Sequence, residues 1–371
     1  MPGVVAMAAN DRGVIYEGAF GVRRLYCAEP MTLDTLFRLQ SMTKAVTSVA
    51  AMQLVEQGKL ALEDPVPAID ERLSAPQVLT GFDRAGQPLL RPARRPISLK
   101  HLLTHTAGFS YPMWNPDVGR YADATGTPSM MTGRLAALQM PLMFDPGEKW
   151  EYGINIDWVG RLVEEVSGED LDTYCRAHIF APLGMADTGY VPTLEQQARQ
   201  ATGHQRRADG TLEPQPLPSW ITPEFFAGGG GLYSTPGDYL LFLRALLNGG
   251  CLGGSSILEP ATVALMGQNH IGSLQAGVMK TVMPELTNDV DLFPGTSLGW
   301  GLGYALNLEA GPNGRSAGTM TWAGLRNTYY WLDPIKRVTG LVMTQILPFA
   351  DPQVLALYRA FECNLYAAIN T

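Results

Sequence analysis

Ser41-Met42-Thr43-Lys44 carries the sharpest chemical signal in the chain. A serine hydroxyl is a weak nucleophile until a base takes its proton. Positions i and i+3 share a helix face, so the Lys44 amine can stand beside the Ser41 hydroxyl. Burial favours a neutral lysine, the form able to accept a proton. At a helix's first turn, free N–H groups and the positive dipole end favour a developing oxyanion. The spacing also fits an N-cap serine followed by a surface lysine, and alone it does not decide between the two.

Other patterns compete. Gly314-Arg315-Ser316-Ala317-Gly318 fits the G-x-S-x-G nucleophile elbow, which needs a strand before the serine and a helix after it. Strand-like sequence follows instead, so Ser316 is expected in a strand beside a hairpin. His101 and His105 have the spacing of a helical metal pair, but Leu102 stands where H-E-x-x-H has glutamate and a third ligand is lacking. His105 is expected to hydrogen-bond within Thr104-His105-Thr106; a Ser-His-Asp triad through it has no local signature. Gly228–Gly231 lacks the Gly-Lys-Ser/Thr of a phosphate loop and reads as close backbone approach beneath a site.

The elements that position these residues follow from punctuation and period. Val4 to Ala8 and Val14 to Phe20 read as strands joined by the Asn10-Asp11-Arg12-Gly13 turn. After Ser41, Met42, Val46, Val49 and Leu54 recur at helical spacing up to Gly58. From Leu60 to Trp220 short helices alternate with Pro/Gly loops, among them Leu99–Leu103, Gly133–Gln139, Ile156–Val166 and Asp170–Ile179. Thr235-Pro236 predicts a capped helix to Leu247. Gly299–Leu308, Ser316–Thr321, Asn327–Asp333 and Val338–Ile346 read as strands, and Pro352–Ala368 as an amphipathic closing helix. Gln268–Thr296 has no clear period and is expected to be a lid. The fold class predicted is α+β: an antiparallel sheet from both chain ends, flanked by helices, with a mostly helical insertion. The expected division is 1–60 with 223–371 for the sheet part and 61–222 for the helical part.

Composition narrows the function. The chain has 371 residues, a net charge of −8 and only 17% charged side chains, so disorder is excluded. The acidic balance argues against nucleic acid. Arg91, Arg94 and Arg95, broken by prolines, read as a solvated loop. Four scattered cysteines read as reduced thiols. No apolar run is long enough for a membrane span and the N-terminus lacks a signal-peptide pattern, so the expected location is cytoplasmic. Oligomeric state is not readable.

LFRLQSMTKAVTSVAAMQLVEQGKLALEDPV closely resembles the active-site segment of the serine β-lactamase and penicillin-binding-protein superfamily. LKHLLTHTAGFS, FDPGEKWEYGINIDWVGRLVEEVSG, PLGM, GGGGLYSTPGDY and TWAGLRNTYYWLDP match in order, and are most similar to the class C β-lactamase-like esterases (family VIII carboxylesterases) and to fungal acyl transesterases. The resemblance implies a β-lactamase/transpeptidase-like fold, Ser41 as nucleophile, and Lys44 and Tyr152 as general acid and base. It implies an oxyanion hole from the backbone N–H groups of Ser41 and Leu325. Trp322-Ala323-Gly324 stands where β-lactamases have Lys-Thr-Gly. Tryptophan supplies no cation for a substrate carboxylate, which disfavours β-lactam or D-amino-acid peptide cleavage. Trp322, Ala323, Gly324, Asn155 and Phe109 are expected to line the substrate pocket, although Asn155 is one place beyond the asparagine of Tyr-x-Asn and could instead cap a helix. Tyr111, Trp114, Tyr121, Met130, Met131, Trp220, Phe225 and Phe226 suggest an apolar wall. Relatives usually carry a helix before the first strand; its lack here implies a shortened start or a less covered sheet face.

The expected activity is therefore cleavage of small-molecule carboxylic esters through an acyl-enzyme, without metal or cofactor. Acyl transfer to a small alcohol is the alternative, and a catalytically silent binding protein the contrasting class.

Overall fold

The computed structural model describes residues 1–216 and 223–369. Seven strands form one antiparallel sheet: β1 (Gly3–Asn10), β2 (Val14–Gly21), β3 (Leu298–Trp300), β4 (Ala305–Asn307), β5 (Met320–Gly324), β6 (Thr328–Asp333) and β7 (Val338–Met343). Their spatial order is β3-β4-β5-β6-β7-β1-β2. The first strand pairs with the last, Ala6 opposite Val342, so the sheet is closed across the two chain ends. The β1–β2 turn forms as its residues predict, with the Asn10 side chain accepting from the N–H groups of Arg12 and Gly13.

Both faces of the central strands are covered, which explains their continuous apolar runs. On β6, Tyr329 and Trp331 meet Tyr358 and Phe361 of α4 (Pro352–Ile369), while Tyr330 turns to Tyr239 of α3 (Pro236–Leu247) on the other face. Helix α3 starts as expected, the Thr235 hydroxyl capping the Asp238 N–H. Helix α1 (Thr43–Glu56) is buried on every side from Thr43 to Leu54, beyond the one-sided stripe its spacing suggested. It packs against α2 (Asn155–Ser167) of the helical part.

Three local expectations change. Ser316–Thr319 is irregular, with a turn at Ala317-Gly318, and the strand runs instead over Met320–Gly324, carrying Trp322 into the sheet. The helix expected over Asp170–Ile179 forms, capped by Asp170, but widens to π geometry over Arg176–Phe180 and runs on to Leu183. The arginine cluster is a solvated loop only in part, since Arg94 and Arg95 are exposed but Arg91 is not free. Arg91 forms a two-point ion pair with Asp145, and the Arg94 N–H donates to the same carboxylate. That pairing holds the Asp145 carboxyl down at about 2. Among the described residues no helix is long and apolar enough to cross a membrane. Trp220 lies outside the described residues.

Candidate active site

Ser41 sits in a single tight turn, Gln40–Met42, that leads directly into α1. Gln40 adopts a left-handed φ of 51°, unusual for a non-glycine residue and a common mark of functional turns. The turn is fastened from outside. The Leu39 N–H donates to the Leu232 carbonyl, the Tyr239 hydroxyl to the Met42 carbonyl, and the Leu232 N–H to the Thr43 hydroxyl. The Ser41 hydroxyl makes no cap and Lys44 is only 1% exposed, so the plainer reading of this pair is set aside.

Lys44 Nζ donates to three oxygens: Ser41 Oγ at 3.2 Å, the Tyr111 hydroxyl at 3.2 Å and the Gly229 carbonyl at 2.7 Å. The same nitrogen stands 4.7 Å from the centre of the Tyr152 ring. The Trp322 indole N–H donates to the Tyr152 oxygen at 2.9 Å, tying the helical part to the sheet. Trp300 packs edge-on against Trp322, and Trp150 stacks on Tyr152, so an aromatic cluster fixes that phenol. The structure thus gathers Ser41, Lys44, Tyr152 and Trp322. Tyr111 joins them with a direct bond to Lys44; in the sequence it was one aromatic among several in a long loop.

Gly324 explains how β5 reaches the serine turn. A Cβ there would lie 2.2 Å from the Leu39 carbonyl oxygen and 2.3 Å from the Thr328 hydroxyl, so only glycine allows the strand end this close. Ala323, Gly324 and the partly exposed Leu325 therefore flank the turn that carries Ser41.

Two expected pocket residues are elsewhere. Phe109 is fully buried, its ring facing Trp158 in the helical core. Asn155 is also fully buried and caps no helix; its amide bridges His105 Nδ1 and the Phe109 carbonyl. His105 acts through these contacts and the Gly153 N–H, not through its neighbouring threonines. Burial, with the Lys44 charge, pushes its pKa well below the usual value, so it is neutral. His101 instead completes a capping box with Ser98. Ser316 lies in the turn before β5, its N–H bonded to Asp333, with strand and not helix following. Within the 268–296 segment, the Val282 N–H donates to the Met113 carbonyl, two residues from Tyr111, and Asn288 donates to Phe349 and Ala350. The segment therefore spans from the sheet's end to the site's aromatic loop.

The family model described as Beta-lactamase matches residues 1–363. Monacolin J acid methylbutanoyltransferase of Aspergillus terreus is 35% identical, covering 99% of this chain and 92% of that protein. Lovastatin esterase of Penicillium rubens is 33% identical, covering 98% and 94%. Among solved structures, unliganded simvastatin synthase of Aspergillus terreus superimposes with a TM-score of 0.86 at 34% identity, covering 99% of this chain and 94% of that one. The sheet assembled from both ends and the helices around it are the shared β-lactamase/transpeptidase-like architecture.

Proposed function

The chain belongs to the β-lactamase family, and on that premise we propose that it cleaves carboxylic esters through an acyl-enzyme on Ser41. The observation that carries this reading is the Lys44 Nζ–Ser41 Oγ hydrogen bond at the buried start of α1, with the Tyr152 ring beside the same nitrogen. Ser41 Oγ forms a bond to the ester carbonyl carbon while Lys44 and Tyr152 manage its proton. Backbone N–H groups of Ser41 and Leu325 hold the charge that develops on the carbonyl oxygen. Collapse breaks the ester C–O bond, and the departing alkoxide takes the proton that left Ser41. Water then attacks the acyl-serine, releasing the carboxylic acid and restoring the hydroxyl. Trp322, Ala323 and Gly324 border the substrate.

Similarity to a chain named as a methylbutanoyltransferase favours a second reading, in which an alcohol takes the place of water. The two differ only after acylation. Incubation with p-nitrophenyl butyrate, with and without n-butanol, separates them: butyrate alone marks a hydrolase, and butyl butyrate formed at its expense marks a transferase. A serine-directed fluorophosphonate is expected to label Ser41, and Ser41→Ala to abolish both labelling and turnover. Label on Ser316, or full activity in Ser41→Ala, overturns the assignment.

A further inference from the structure

Asp157 is joined to Lys44 through a single residue, Gly229. It lies in the first turn of α2, 2% exposed, and its Oδ1 accepts from the Gly229 N–H at 2.9 Å. Gly229 is thus held at both ends, its N–H by Asp157 and its carbonyl by Lys44. On its other side Lys44 donates to the Tyr111 hydroxyl, which lies in the same buried cluster. A Cβ on Gly229 would come within 2.5 Å of Asp157 Oδ2, so this link tolerates no side chain there.

We propose that Asp157 is the positioning counter-charge that keeps Lys44 an ammonium ion, leaving Tyr152 to take the Ser41 proton. The proposal rests on the serine reading above and deepens it. An ammonium has three N–H donors and no acceptor, and Lys44 Nζ has three oxygen partners. The Gly229 carbonyl can only accept, so that bond requires an N–H of Lys44. Tyr111 is pushed well above its usual value by burial and then by the Asp157 charge, so it keeps its proton. The remaining groups facing Lys44 are Ser41 on its own turn, the Tyr152 ring and neutral His105. Asp157 is therefore the anion of this cluster. Burial raises its own pKa against the opposing pull of Lys44, the Gly229 N–H and Tyr111. A raised carboxyl is bound more tightly by protons in the folded chain, so its ionised form at neutral pH lowers stability. The fold carries a charge that stability alone would not select.

Asp157→Asn keeps the shape and removes the charge. Its melting temperature is expected to equal or exceed that of the unsubstituted protein. The alkaline limb of kcat/KM for p-nitrophenyl butyrate should move down by about one pH unit, because the ammonium form is lost sooner. Fluorophosphonate labelling of Ser41 should be nearly unchanged below the shifted limb and slow by about tenfold at pH values above the original one. Tyr111→Phe retains both charges but removes one oxygen that accepts from the Lys44 ammonium, and should move the limb in the same direction by less. A folded Asp157→Asn protein with an unmoved limb overturns the proposal; if that variant does not fold, an unmoved limb in Tyr111→Phe does so. If Ser41→Ala is inactive while these limbs stay fixed, Asp157 alone is misassigned. Activity in Ser41→Ala defeats the underlying serine reading instead.

Discussion

Trp322 illustrates how one substitution within a family pattern changes what the site can hold. Where β-lactamases place a cation, this chain places an indole whose N–H bonds the Tyr152 oxygen at 2.9 Å and whose ring packs in an aromatic cluster. Trp322→Phe keeps the ring and deletes the donor. Its kcat on p-nitrophenyl butyrate is expected to fall about 10- to 100-fold with KM within about twofold, as for a bond that matters chiefly in the transition state. Unchanged kcat would make Trp322 a packing residue. At this scale the closeness of Ser41 and Lys44 was legible from spacing, while the roles proposed for them and for Tyr152 come from resemblance. Tyr111 was hidden because an aromatic in a long loop has no distinguishing period. Asp157 was hidden because an acid in a helix's first turn already has a bland explanation in the dipole. Phe109 and Asn155 were misplaced because a sequence does not reveal which side of a loop faces the core.

The elements were more legible than their limits. Strands β6 and β7 and helices α2 and α3 appear close to where apolar period and capping residues put them. Strand β5 was shifted, because its pairing with β6 is a tertiary contact that local propensity does not contain. Helix α4 shows what docks an element once it has formed. Arg315, in the turn before β5, forms a buried ion pair with Glu362 and a bond to the Tyr358 hydroxyl, and the Tyr366 hydroxyl donates to Asp333 at 3.0 Å. Arg315→Ala strands the Glu362 charge inside the protein, so denaturant titration should show a loss of about 3–5 kcal/mol. The double variant Arg315→Met/Glu362→Leu removes both charges and should recover most of that loss. A single variant as stable as the parent would mean water already shields Glu362.

Across the whole molecule the site exists only where distant parts of the chain meet. Ser41 and Lys44 follow the first hairpin, Tyr111 and Tyr152 come from the helical part, Gly229 from the glycine run and Trp322 from β5. The bonds joining the parts run through the buried interior, and α1 and α2 share one apolar core with the sheet. The proposed division into 1–60 with 223–371 and 61–222 is therefore not expected to mark independent folding units. Trp158 in α2 and Trp331 in β6 are both buried, one on each side of that division, and each can report on its own half. With the seven tryptophans carried as 5-fluorotryptophan and the two signals assigned by Trp158→Phe and Trp331→Phe, the urea transitions of their fluorine resonances are expected to share a midpoint with the far-ultraviolet signal and with loss of turnover. A helical part that melted first would separate the Trp158 transition, and activity would follow that curve because Tyr152 and Tyr111 leave with it. Coincident midpoints would mean that the cleft is held by the same cooperative packing that holds the fold. Small destabilising changes anywhere in that core would then lower the active fraction without altering the chemistry of the molecules that remain folded.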